Sequence, residues 1–272
     1  MAYKLKVLSP LLICFLLNLI IHGNLLIGVL NALLLGLCLF FFQNFASKSI
    51  SSIELPYLLI LGVIPLFNHN YDLVVTLLAI GLILLLLAYL RTNFKLMLIP
   101  VILLYMIASS AYANEIIRLP FVFKTDRLIF NDRWTNQALA ETEKEALYLP
   151  HRLRSLVFNK SVYLYVLLSK IAELFMLKNL YEILLIANLY PLFSGLIANL
   201  KLWNKEKLGI FLSIFLIILI AVSSNGTNTF NTFILLSPFT IYFILRGFAS
   251  INKKIYFLLV ILSFLIVTSP TK

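Results

Sequence analysis

Long apolar runs separated by short polar links dominate the chain. Most of these runs approach the roughly 20 residues that an α-helix needs to cross a bilayer. The first two runs are joined only by His22, Gly23 and Asn24, which predicts a helical hairpin. The run 56–67 is marginal for a full crossing. In chain order the predicted spans are 7–21, 25–42, 56–67, 73–90, 96–113, 180–200, 208–223, 232–245 and 255–268.

The segment between the fifth and sixth predicted spans is different in kind. Residues 115–160 hold eight Lys or Arg and six Asp or Glu, so this segment is predicted to face water. The stretch 161–179 is long enough for a tenth span, but its polar residues gather on one side of a helical wheel, which favours a helix in the membrane interface. The prediction is therefore an all-α, polytopic helical integral membrane protein with about nine transmembrane helices and a helical extracytoplasmic cap.

Three regions follow from this pattern, an N-terminal membrane region 1–114, a cap with its interfacial helix 115–179, and a C-terminal membrane region 180–272. Lysine and arginine occur in alternate links, at 4–6, 48, 91–95, 201–207 and 246–254, and are absent from 22–24, 68–72 and 224–231. By the positive-inside rule the basic links are cytoplasmic. The protein is thus predicted to be a multi-pass protein of the cell (inner or plasma) membrane, with a cytoplasmic N-terminus and an extracytoplasmic loop 115–160.

Composition excludes the soluble alternatives. Hydrophobic residues make up 62% of the chain and charged residues 12%, about half the charged share of a soluble domain, which excludes an ordinary water-soluble enzyme. The net charge of +11 is spread over the links and is explained by orientation, so no nucleic-acid partner is predicted. Cys14 and Cys38 lie within apolar runs and lack zinc-ligand spacing. They are predicted to be buried apolar side chains, with no metal site and no cofactor.

Few polar groups lie within the spans. Asn188 and Asn199 are eleven residues apart and therefore share a helix face. Hydrogen bonds to a neighbouring helix are favoured over a ligand site at these two positions. A small-solute permease is one alternative, because Pro191 and Gly195 interrupt the same span and discontinuous helices can expose backbone carbonyls to a substrate.

The cap combines basic and aromatic residues. Because arginine can grip phosphate oxygens bidentately, basic groups at a membrane surface suit anionic headgroups or a lipid-linked phosphate. The candidate phosphate-binding residues are Arg118, Arg127, Arg133, Arg152 and Arg154. Alternatively, the cap is folded on itself and its cations pair with Asp126, Asp132, Glu141, Glu143 and Glu145. Residues 135–146 are predicted to form a helix within the cap, because they include strong helix formers after a capping residue.

Several short motifs from Arg118 onward resemble the C-terminal half of bacterial polytopic glycosyltransferases related to protein O-mannosyltransferases. The motifs are Arg-Leu-Pro-Phe at 118–121, Leu-Ile-Phe-Asn-Asp at 128–132, Leu-Pro at 149–150 leading to 156–160, Ala-Val-Ser-Ser at 221–224 and Ile-Leu-Leu-Ser-Pro at 234–238. The resemblance covers about half of the chain. It implies a protein of the bacterial envelope that uses a sugar linked to polyprenyl phosphate.

The chain lacks the catalytic acid that this family carries. Such transferases carry it in the first outward loop, which here is only His22-Gly23-Asn24, and Asp72 in the second outward turn is the only substitute. The resemblance therefore implies a degenerate or accessory protein, or half of a split enzyme, that handles a lipid-linked sugar in envelope glycan assembly. Independent catalysis is not expected. Its predicted partners are membrane lipid, a polyprenyl-phosphate-linked sugar and a membrane protein. The remaining alternative is a structural or assembly subunit whose cap docks a partner protein.

Overall fold

The computed structural model describes residues 2–45, 50–90, 133–145, 150, 153, 160–201, 205–222 and 229–268. Within these ranges every regular element is helical, which confirms the predicted all-α class. A single 3₁₀ turn at Ile50–Ser52 accompanies the α-helices described here. These are α1 (Ala2–His22), α2 (Leu25–Phe45), α3 (Leu55–Gly62), α4 (Pro65–Asn68), α5 (Leu73–Leu90), α6 (Arg133–Glu145), α7 (Lys160–Leu174), α8 (Leu177–Leu184), α9 (Ile186–Lys201), α10 (Lys205–Val222), α11 (Thr229–Leu235), α12 (Ser237–Gly247) and α13 (Lys253–Thr268).

The helices α1 and α2 form the predicted hairpin. Gly23 closes the turn with a φ of 62°, a left-handed conformation that costs glycine little. Its N–H donates to the carbonyl of Leu19 at the end of α1. The side-chain oxygen of Asn24 then accepts hydrogen bonds from the N–H groups of Leu26 and Ile27 and so caps α2.

The chain that follows α2 runs alongside α1 and in the same direction. Near the start of α1, Lys6 Nζ donates to the carbonyl of Ile53 at 3.3 Å. Near its end, Asn18 Nδ2 donates to the carbonyl of Phe67 at 3.0 Å. The break between α3 and α4 precedes Pro65, which has no N–H to continue a helix. The marginal run 56–67 therefore extends along most of α1.

The bundle has two polar ends. The Lys6 end also holds the ion pair between Lys253 and Glu54. At the His22 end, Nε2 of His22 lies 2.8 Å from the carbonyl oxygen of Asn68. The positive-inside rule predicts that the Lys6 end is cytoplasmic and the His22 end extracytoplasmic.

Fewer helices than predicted are long and apolar enough to span a membrane. Among the described residues α2 alone meets this condition by length and composition, and the number rises to three if the bent pairs α8–α9 and α11–α12 each form one span. The apolar parts of α1, α5 and α10 are shorter, at Lys6–His22, Leu73–Leu87 and Ile210–Leu219. The predicted span 96–113 lies outside the described residues. Nine crossings are therefore not confirmed.

The predicted span 180–200 is not straight. It bends by 107° between α8 and α9, at Leu185, whose φ of 66° is rare for a residue with a side chain. Beyond the bend, α9 packs against α12 in the opposite direction, with Gly195 facing Phe243 and Pro191 facing Gly247. If 180–200 and 232–245 were straight spans with one other span between them, the two segments would run parallel. The prediction missed this arrangement because a continuous apolar run does not reveal a bend inside it.

Aromatic rings fill the contact between α2 and α12. The ring centroids of Phe45 and Tyr242 are 5.5 Å apart with nearly perpendicular planes, a favourable edge-to-face geometry. Cys38 lies in the same interface, with its sulfur 3.6 Å from Ser237 Oγ. Cys14 is buried as well, so the prediction that both cysteines are buried is confirmed. The outer faces of α1, α2 and α13 expose many large apolar side chains, which suits contact with lipid.

Candidate functional site

Most of the residues predicted to contact phosphate lie outside the described residues. These are Arg118, Arg127, Arg152 and Arg154. Arg133 begins α6, and its side chain also lies outside the described part. The helix α6 itself confirms the cap helix predicted for residues 135–146, with boundaries that differ by one or two residues. The pairing of the cap's cations with its acids stays a prediction.

The described cap helices are joined to the His22 end of the bundle. The helix α6 packs on α7, and α7 contacts α8 and α10. In turn α8 contacts α4 and α11, the two short helices that lie beside His22 and Asp72. The cap is therefore connected to the end of the bundle where the polar links 22–24 and 68–72 lie.

A cluster of buried asparagines lies just inside this end. Asn31 Nδ2 donates to Asn18 Oδ1 at 2.8 Å, and Asn18 Nδ2 donates to Asn68 Oδ1 at 3.1 Å. Asn70 Nδ2 donates to Asn31 Oδ1 at 2.8 Å and to Thr76 Oγ1 at 2.6 Å. All five side chains are almost completely buried. This asparagine cluster ties α1, α2, α4 and α5 together, and its amides are hydrogen-bonded, as buried polar groups must be.

This cluster was not predicted from the sequence. Asn18 and Asn31 lie five residues before and eight residues after Gly23 in the hairpin. Two polar residues at similar distances from a hairpin turn can meet across it. That spacing was the signal that could have indicated an interhelical hydrogen bond, whereas the contribution of Asn68 and Asn70 depends on the path of the later chain.

Ionisable groups from the same links border the asparagine cluster. We call Asp72, His22 and His69 the rim. Asp72 Oδ1 accepts hydrogen bonds from the N–H groups of Val74 and Val75, each at 3.1 Å, and so caps α5. Its other oxygen, Oδ2, accepts from Asn231 Nδ2 at 3.2 Å. Asp72 was the only sequence-predicted substitute for the missing catalytic acid. Both of its oxygens are instead occupied by structural hydrogen bonds.

Two histidines also lie at this end of the bundle. His22 is held by its contact with the carbonyl of Asn68. The pKa of His69 is lowered, first because packing removes part of its ring from water and second because His22 is close by. The neutral form of His69 is therefore favoured in the folded protein.

The second predicted pair of asparagines makes the interhelical hydrogen bonds that were expected. Tyr256 of α13 donates to Asn188 Oδ1 at 3.2 Å, and Tyr242 of α12 donates to Asn199 Oδ1 at 3.1 Å. The two amide nitrogens donate to backbone carbonyls one turn earlier in the chain. This confirms the packing role of both residues. Their amide groups are already partnered, which argues against a solute site built on them.

Charged pairs in the described ranges are few and peripheral. Lys170 and Glu173 form an exposed ion pair of 3.2 Å on α7. The other pair, Lys253 with Glu54, lies at the Lys6 end. Among the residues that the structure describes, no group of His, Cys, Asp and Glu side chains could hold a metal ion.

Comparisons with known protein families, with curated proteins and with solved structures found no match to this chain. The resemblance to polytopic glycosyltransferases therefore stays a prediction from the motifs alone.

Proposed function

We propose that this chain is a multi-pass membrane protein whose cap, together with the His22 end of the bundle, binds the anionic headgroup of a lipid-linked sugar during envelope glycan assembly. The observation that carries this proposal is the contact of α8 with α4 and α11, which connects the cap to the His22 end. The proposal brings the polar rim groups and the basic, aromatic-rich segment together at one end of an otherwise apolar bundle.

The ligand chemistry follows from the residue types of the cap. Five arginines, at 118, 127, 133, 152 and 154, are assigned to contact phosphate oxygens. Arginine suits this role because its planar group donates two parallel hydrogen bonds to a phosphate and keeps its charge at every physiological pH. The proposed partners are membrane lipid and a polyprenyl-phosphate-linked sugar.

The rim supports a binding role more than a catalytic one. A carboxylate that caps a helix and accepts from a neighbouring side chain has a structural role that does not require an acceptor substrate. Asp72 uses both carboxylate oxygens to hold α5 and Asn231. The proposal is therefore an accessory protein that presents or retains the lipid-linked sugar for another enzyme.

The test measures polyprenyl phosphate binding by the purified full chain in nanodiscs. The variant Arg152→Gln/Arg154→Gln is expected to bind at least about 100-fold more weakly, because two charge-assisted hydrogen bonds contribute roughly 1.5–3 kcal/mol each. The matched control is Lys170→Gln/Lys178→Gln, which removes the same charge from exposed positions of α7 and α8. Unchanged binding by the arginine variant, or an equal loss in the control, would overturn the assignment.

A further inference from the structure

The junction of α7 and α8 exposes an unusual concentration of large apolar side chains. Phe175, Met176 and Leu177 follow one another at this junction and are 51%, 55% and 69% exposed. Leu164 and Leu168 of α7 are also more than half exposed, and they lie on the same side of the helix as Phe175. We call these five residues the elbow surface. Apolar patches of this kind mark contact with a membrane or a partner.

The opposite side of α7 packs against the protein. Val166 is buried, and Val162 packs against the core. These two valines weakened the amphipathic pattern in the sequence because they lie on its polar half. Leu167 and Ile171 lie towards the elbow side and also pack in part against the core. The five residues of the elbow surface nevertheless stay exposed, so packing within the protein does not cover them.

Internal hydrogen bonds satisfy part of the backbone of the elbow. Asn179 Nδ2 donates to the carbonyl of Glu173 at 2.6 Å, and the N–H of Leu180 donates to the carbonyl of Met176 at 3.1 Å. These bonds satisfy the carbonyls of Glu173 and Met176 and so lower the cost of moving the bend out of water. The elbow can therefore lie at the boundary between headgroups and hydrocarbon.

Length and charge argue against a full crossing by the described residues of α7. Its 15 residues extend about 22 Å at 1.5 Å per residue, less than the roughly 30 Å of a bilayer's hydrocarbon core. The exposed ion pair of Lys170 with Glu173 also lies in its second half. A helix of this kind lies along a membrane surface more favourably than through it.

The position of the elbow identifies its partner. Since α8 contacts α4 and α11, the elbow lies towards the His22 end of the bundle. At that end Ile20, Ile21 and Leu25 of the hairpin also expose their side chains. We propose that the elbow surface is a membrane anchor, which inserts into the boundary between headgroups and acyl chains of the leaflet at the His22 end. This anchor does not depend on the proposed headgroup site.

The test places a tryptophan in the elbow and measures its depth. Trp134 and Trp203 are replaced by Phe, and Phe175→Trp is introduced in the full chain, reconstituted in neutral phosphatidylcholine vesicles. Lipids brominated near the headgroup are expected to quench this tryptophan more than lipids brominated near the chain end, since an interfacial residue lies only about 5–10 Å deep. The matched control is Leu84→Trp, an exposed position within α5, for which the reverse order is expected.

Two results would overturn the anchor. If Phe175→Trp is quenched most by deep bromines, like the α5 control, the elbow crosses the membrane. If it is quenched by neither lipid, the elbow lies in water or under another protein. Should Phe175→Trp fail to fold, Met176→Trp provides the same measurement. Neutral lipid removes charge attraction as an explanation, and the absence of polyprenyl phosphate keeps the outcome separate from that of the headgroup site.

Discussion

The contact between α9 and α12 depends on two glycines, and replacing one of them tests the fold directly. A Cβ added to Gly195 would overlap the carbonyl group of Phe243 and lie 3.2 Å from the backbone nitrogen of Gly247. A Cβ added to Gly247 would overlap the carbonyl of Pro191 in the same way. The obstructing atoms belong to the backbone, so no side-chain rotation can relieve the overlap. Gly195→Ala must therefore push the two helices apart.

The cost can be worked out from this geometry. Overpacking a tight contact costs about 1–3 kcal/mol, and separating the helices also breaks the hydrogen bond between Tyr242 and Asn199, about 0.6 kcal/mol within a membrane. Alanine recovers up to about 1 kcal/mol through its higher helix propensity. Gly195→Ala is therefore expected to lower the free energy of unfolding by about 1–3 kcal/mol.

The protein carries its own reporter for this measurement. Cys14 and Cys38 are free and buried, so a fluorogenic maleimide should label them only as the protein unfolds in increasing SDS. The matched control is Gly36→Ala, whose Cβ would meet only the Leu11 side chain at an ordinary 3.5 Å. This variant is expected to be neutral or more stable by up to about 1 kcal/mol. Equal labelling curves for the two variants would refute the close approach of α9 and α12.

Three further predictions use the same unfolding assay. Asn31→Leu leaves buried oxygens of Asn18 and Asn70 without a donor and is expected to cost about 2–4 kcal/mol; a loss below about 0.5 kcal/mol would contradict the asparagine cluster. Tyr57→Phe is expected to be neutral or stabilising by up to about 1 kcal/mol, because its buried hydroxyl has no partner in the described structure; clear destabilisation would reveal one. His69 has a pKa below its ordinary 6.5 in the folded state, so the unfolded chain binds the proton first. Neutral His69 therefore contributes fully to the free energy of unfolding above about pH 6.5. This contribution is lost as the pH falls through the lower pKa of the folded state. His69→Gln should reduce this acid loss, and an unchanged pH profile would count against it.

The helical class and several local features could be predicted from sequence because they depend on neighbouring residues. The turn at Gly23 follows from a polar tripeptide between two apolar runs, and the structure shows the hairpin there. The helix α6 follows from strong helix formers after a capping residue. The roles of Asn188 and Asn199 follow from their spacing on one helix face, although their tyrosine partners lie 68 and 43 residues away and were not predicted.

The candidate site was only partly predictable, because its polar groups come from separate parts of the chain. The basic cap could be recognised from charge and aromatic content alone. The complete asparagine cluster could not, since beyond the pair of Asn18 and Asn31 it joins Asn18 to Asn68, 50 positions away. The hydrogen bond from Asn231 to Asp72 was also not predictable, because the two residues are 159 positions apart.

By itself the sequence determined that the chain is an apolar helical protein with a charged segment between two apolar regions, because solvent preference is a sum over individual residues. Tertiary structure decided how the helices meet. The close approach of Gly195 and Gly247 depends on neighbours that are distant in the sequence. The same is true of which apolar side chains of α7 are buried and which stay exposed. The bend at Leu185 is likewise a feature that only the structure shows. A hydropathy pattern indicates how strongly each residue tends to leave water, but it does not indicate which neighbour replaces the water.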